Sequence, residues 1–151
     1  MRFFTKEWLT GELSDEAFDA IPDAYSIYLA SLKLPSDVFA LSKVDIHDGR
    51  LLDVKYNSES AQLLLRLRCG DQQTGYYDLH ITYSDLVLDS ASLSVLNVAM
   101  RAPKDEFLYD EIDRTGDNFE HRCILASHNE VRIKFSHVVV NSCPLDSRES
   151  P

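Results

Sequence analysis

Two places in this chain combine residue types that could do chemistry. The first is His47-Asp48. A His-Asp dyad can hold a metal ion in phosphohydrolases, but such sites draw further His and Asp ligands from helices. Here the pair runs into Asp48-Gly49, a strong turn signal between strands, and the turn alone accounts for the aspartate. The second place is the acidic run DEFLYDEIDRTGDNFE, with His121 and His128 close behind. Asp110, Glu111 and Asp113 offer oxygen ligands to a divalent cation. Asp110 and Glu111, however, are neighbours on a strand pattern and so point to opposite faces. The run also lacks the alternate acids, central glycine and closing glutamate of a calcium loop. It reads as a solvated strand edge whose charges discourage aggregation.

A metal-dependent hydrolase or small-ligand protein would need His47, Asp48, Asp110, Glu111 and His121 to converge in one pocket. Nucleophile motifs are weaker still. No G-x-S-x-G occurs, and the serines sit mainly at turns and caps. His121 and Cys123 lie two apart on one strand and share a face, but a reactive thiol needs an exposed, electropositive setting. The strand context places Cys123 in the core. No catalytic residue, metal or cofactor is expected.

Composition narrows the partners. The formal net charge is −10 over 151 residues, which opposes nucleic-acid phosphates and anionic membranes and favours a basic surface. The cysteines Cys69, Cys123 and Cys143 are odd in number and show no C-x-x-C spacing, so reduced thiols are expected. No run approaches the length of a membrane span, and the start lacks the apolar core of a secretory signal. A cytoplasmic location follows as the expectation.

The elements that must position these residues fall into a helical part, 1–42, and a β-rich part, 43–142, of one domain. Ser14 can cap a helix with Asp15 and Glu16 in its first turn. Ile21-Pro22 is expected to interrupt that helix, with Pro22 opening a second one. Tyr25, Tyr28, Leu29 and Leu32 form its apolar face. Leu34-Pro35 ends it, and Ser36 can cap a short turn. Trp8, Phe3 and Phe4 read as a plug between helices and sheet. Alternation from Val44 onward gives strands in hairpin spacing, hence antiparallel pairing and an α+β class. SASLSVLNVAM fits a helix or a strand equally, and 143–151 reads as a flexible tail.

LHITYSDLVLDS (79–90) and VRIKFSHVVVNS (131–142) share a pattern and an irregularity. In each, the apolar alternation slips by one residue, at Ser84-Asp85 and at Ser136-His137. A strand that changes face needs a bulge or bend there. The expected architecture is a barrel or sandwich made of two similar bent-hairpin units under the N-terminal helices.

FTKEW at Phe4–Trp8, the central IHDGRLLDV, and the closing FLYDEID, FEHRCIL and VRIKFSHVVV together resemble an uncharacterised bacterial family, domain of unknown function 4085. The resemblance covers the chain to about Val140. It implies a bacterial, single-domain cytosolic protein and supplies no catalytic residue. By analogy of size and acidity alone, immunity proteins are comparable. The expected function is therefore a non-enzymatic protein-binding module. Its acidic face would be Asp105, Glu106, Asp110, Glu111, Asp113, Asp117 and Glu120, meeting a basic partner. Homo-oligomer formation is the third option.

Overall fold

The computed structural model describes residues 1–73 and 75–145. Helices α1 (Lys6–Leu9), α2 (Asp15–Ser31) and α3 (Ser36–Leu41) precede eight strands, and α4 (Ser90–Ala99) lies among them. The strands are β1 (Arg50–Asn57), β2 (Gln62–Asp71), β3 (Gly75–Ser84), β4 (Val87–Leu88), β5 (Phe107–Thr115), β6 (Asn118–Leu125), β7 (Glu130–Phe135) and β8 (His137–Pro144). They build two antiparallel four-stranded sheets, ordered β1-β2-β3-β8 and β4-β7-β6-β5. The class is α+β, with the sheets arranged as a sandwich.

Both expected face changes are real breaks, and they explain how the sheets join. β3 ends at Ser84, Asp85 takes a left-handed φ of 50°, and the chain re-enters the other sheet as β4. β7 ends at Phe135, and after Ser136 the chain crosses the opposite way as β8. The two crossing chains are antiparallel partners throughout, with Ile81 opposite Val140 and Leu88 opposite Ile133. At the crossing, the Ser136 N–H donates to the Ser84 carbonyl at 3.3 Å. On the far side, among the described residues, the sheets meet at one bridge, Gly49 with Phe107, and do not close into a barrel. A Cβ at Gly49 would lie 2.6 Å from the Ile46 carbonyl oxygen, which restricts that position to glycine.

Between the sheets, alternate residues interlock: Leu63, Leu65, Leu67, Leu79, Ile81 and Tyr83 face Ile112, Phe119, Cys123, Val131, Ile133 and Phe135. Each fully buried aliphatic side chain here contributes about 1.5–3 kcal/mol relative to exposure. Leu41 of α3 and Leu96 of α4 join the same core. SASLSVLNVAM is a helix because Asp89 caps it, accepting from the Ser92 N–H at 2.7 Å.

Helix side chains also satisfy strand amides that no neighbouring strand reaches. The Ile112 N–H of edge strand β5 donates to the Tyr25 hydroxyl of α2 at 2.8 Å. The Val138 N–H of β8 donates to Asp37 of α3 at 3.4 Å. The Arg132 N–H of β7, beyond the end of short β4, donates to the Ser92 hydroxyl at 3.0 Å. A free strand edge is a template for unwanted pairing, and three helices blunt three such places with one polar atom each.

Several boundaries differ from the sequence reading. Ser14 does cap α2, but Ile21-Pro22 does not break it, and Pro22 sits inside one helix of 17 residues. A proline there leaves the carbonyl of residue 18 without its helical donor. That carbonyl accepts the Trp8 indole N–H at 3.1 Å, while Trp8 stacks on the Phe18 ring at 4.8 Å. A long-range donor replaces the missing local one. Replacing Trp8 with Phe keeps an aromatic side chain but deletes the donor and part of the packed surface, so urea unfolding should show a loss of at least about 1 kcal/mol. Pro22→Ala in that background should recover part of it by restoring the helical bond.

Pro35 rather than Ser36 occupies the N-cap of α3, which has no side-chain cap. Residues 43–49 are not a strand. Ile46 opens a turn closed by Gly49 N–H to Ile46 carbonyl at 2.9 Å, with Asp48 at φ 57°. The expected tail begins too early, because Cys143 and Pro144 pair with Asp78 and Tyr77. Its residues 146–151 lie outside the described residues.

Candidate functional site

The groups with chemical potential gather on β5 and β6, in two clusters on opposite faces of their sheet. On the outer face, Glu111, Asp113, Glu120 and Arg122 alternate along the two strands, with Glu111 opposite Arg122 and Asp113 opposite Glu120. Arg122 is the hub. Its guanidinium donates to Glu111 at 3.2 Å and Asp113 at 2.8 Å, and it makes a short contact with Glu120. Burial works against its charge, but Glu120 and Glu111 reverse the effect and raise its pKa above the ordinary value.

The amino-terminal segment covers this cluster. Glu111 is only 1% exposed and accepts the backbone N–H groups of Arg2 and Phe3, the latter at 2.8 Å. Phe4 and Trp8 pack on Tyr109, at 5.4 and 4.7 Å between ring centroids, as the expected aromatic plug. The Tyr28 hydroxyl donates to Asp113. Burial would raise the Asp113 pKa, yet the bonds from Tyr28, the Arg114 amide and Arg122 hold it below the ordinary carboxylate range.

On the core-facing side, a chain of polar atoms crosses from one sheet to the other. The Tyr83 hydroxyl lies 2.7 Å from His121 Nδ1, and His121 Nε2 lies 3.0 Å from Asp110. The Cys123 sulfur is 3.6 Å from Nε2. Burial opposes a charged imidazole, but the Cys123 sulfur, the Tyr83 oxygen and the Asp110 carboxylate hold the His121 pKa well above its usual 6.5. As an imidazolium it donates from both nitrogens, to Tyr83 and to Asp110. Burial pushes the Tyr83 hydroxyl up to about 12 and the Cys123 thiol upward as well.

A histidine between a hydroxyl, a carboxylate and a thiol has the parts of a nucleophile relay. Here Tyr83 is fully buried, and His121 and Cys123 are each 1% exposed. Nothing in solution reaches the sulfur without opening the sandwich. The arrangement suits a satisfied, charged core better than turnover.

The structure separates the five residues that a metal-dependent hydrolase would need together. His47 and Asp48 pair with each other at 3.1 Å on an exposed turn, with the His47 ring against Tyr109. Asp110 and His121 meet inside, and Glu111 points to the opposite face. Among the described residues, no group of three or more His, Cys, Asp or Glu could hold a metal ion.

The expected acidic face is likewise spoken for internally. Glu111 and Glu120 are buried rather than solvated, because Arg122 and the amino-terminal amides meet them there. Asp110 serves His121 and Asp113 serves Arg122. Asp105 staples the β6–β7 turn, accepting the Ser127 N–H at 2.8 Å and hydroxyl at 2.9 Å. Glu106 is half-buried and Asp117 exposed.

Residues 2–133 match the family model described as "Protein of unknown function (DUF4085)". The chain belongs to that family. No curated protein and no solved structure matches it. The match ends within β7, so it takes in both clusters on β5 and β6 together with Tyr83 and the covering segment. The sequence reading missed Tyr25, Tyr28, Tyr83 and Arg122 as members. For Arg122 a signal existed: charged residues alternate on two consecutive hairpin strands, and Arg122 is the one base among Glu111, Asp113 and Glu120. For the tyrosines none did, since their partners lie 38 to 87 residues away.

Proposed function

We propose that this protein is a non-enzymatic module that binds a basic surface of another protein. One observation carries the reading: the Tyr83, His121 and Cys123 cluster is turned inward, while unbalanced charge is turned outward on α2. Between Lys6 and Lys33 the sequence holds Glu7, Glu12, Asp15, Glu16, Asp19 and Asp23 and no basic residue. Asp15, Asp19 and Asp23 repeat at four-residue spacing, which stacks them along one exposed helical stripe. Like charges so spaced destabilise a helix by about 0.2–0.5 kcal/mol per pair. No α2 residue is buried, so the helix depends on a few polar and aromatic attachments. A basic partner would relieve the repulsion and steer itself onto the stripe.

The test is affinity capture from the source cell extract at low and high salt, with two charge-reversed variants. A partner held at low salt by the wild type should be lost with Asp15→Lys/Asp19→Lys/Asp23→Lys. It should be kept with Glu106→Lys/Asp117→Lys. Capture that resists salt, or that ignores the helix variant, rejects the reading.

A further inference from the structure

Where α2 gives way to α3, the chain leaves a groove of about 330 Å³ floored by Leu29, Ala30, Leu34 and Phe39, with Lys33 and Lys43 at its rim. That volume falls at the small end of the range for small-molecule sites. Leu29 and Leu34 flank the end of α2, where an apolar contact often closes a helix. Phe39 is different: it is 52% exposed although it lies on a helix with a buried face of Val38 and Leu41. The Lys43 ammonium sits 5.0 Å above its ring.

The charge at this rim is positive on a chain of net −10. Among the described residues neither lysine is ion-paired, and the nearby acids are turned elsewhere. Asp37 faces His137 and the Val138 amide, and Asp45 accepts the His47 amide. Lys33 also holds a left-handed conformation, φ 48°, one residue past the Leu32 C-cap. Glycine is the usual occupant there, because a side chain is strained in that conformation. A lysine at this position keeps a cation at the groove mouth at the expense of the helix end.

We propose that the groove binds a small amphiphilic carboxylate, its apolar chain on Leu29, Leu34 and Phe39 and its head between Lys33 and Lys43. The chemistry is that of a medium-chain fatty acid. The site is distinct from the acidic stripe of α2 and does not depend on it.

Anilinonaphthalene sulfonate, an anion on apolar rings, serves as the fluorescent probe on the full chain. It should bind saturably, and octanoate should displace it while octylamine does not. Lys33→Gly is the decisive variant, because strain and charge move in opposite directions. Relief of the left-handed side chain should raise the melting temperature by about 2 °C. Loss of one charged hydrogen-bond donor should weaken octanoate by about tenfold. Lys43→Ala should weaken it similarly without the stabilisation. Equal displacement by octylamine, or unchanged octanoate binding in both variants, overturns the proposal. So does a dimer that dissociates on Phe39→Ser, since a second copy would then cover the groove.

Discussion

Arg122→Met should lower the stability of the protein by about 3 kcal/mol, read as a fall in the urea midpoint with an unchanged slope. The side chain joins Glu111, Asp113 and Glu120, of which Glu111 is 1% exposed. Removing the guanidinium they share leaves three clustered carboxylates with weaker partners: Lys134 at 3.6 Å for Glu120, two backbone amides for Glu111 and the Tyr28 hydroxyl for Asp113. The penalty arises from the charges left behind more than from the bonds lost. A second substitution separates those causes. Adding Glu120→Gln to Arg122→Met should recover stability, because it removes one of the stranded charges. A loss of packing alone would predict no recovery. The Trp8 emission should shift in the single variant as well, since Glu111 also holds the covering segment through the Arg2 and Phe3 amides.

His121→Gln should remove a pH dependence that the wild type shows above neutrality. The folded pKa of His121 lies well above 6.5, so the folded state binds a proton more tightly than the unfolded chain does. Its contribution is fully present below pH 6.5 and is lost as pH rises through the folded value. Across that window the wild type should lose stability that the variant keeps. The difference between the two proteins from about pH 6.5 to 8.5 isolates this group, because every other titrating group is common to both. Glutamine can still reach one partner but carries no titrating proton, so its profile should fall less steeply there. A wild-type profile already flat over the interval would mean that His121 is neutral in the fold.

Much of the frame was legible because it depends on local period. Leu63, Leu65, Leu67 and Cys69 alternate and are buried as a strand facing a core must be. The slip at Ser84 and at Ser136 marked where each chain leaves one sheet for the other. Local rules failed where a distant group supplies what the neighbourhood lacks. Pro22 removes a helical bond, but Trp8 restores a partner to the Phe18 carbonyl. Glu111 reads as surface in its own strand, yet its donors are Arg122 and two amides more than a hundred residues away. Val44 and Ile46 mimic a strand because Ile46 is buried in the core even though the chain turns there.

The acids of the chain divide into those that hold the fold and those proposed to face a partner. On this account Asp110, Glu111, Asp113 and Glu120 belong to the first group, and Asp15, Asp19 and Asp23 to the second. The most direct measurement is the association rate with the captured partner as a function of ionic strength. The wild-type rate should fall steeply with salt, and the Asp15→Lys/Asp19→Lys/Asp23→Lys variant should associate more slowly with a reversed or absent salt dependence. Equal rates and equal salt slopes for the two proteins would contradict the account.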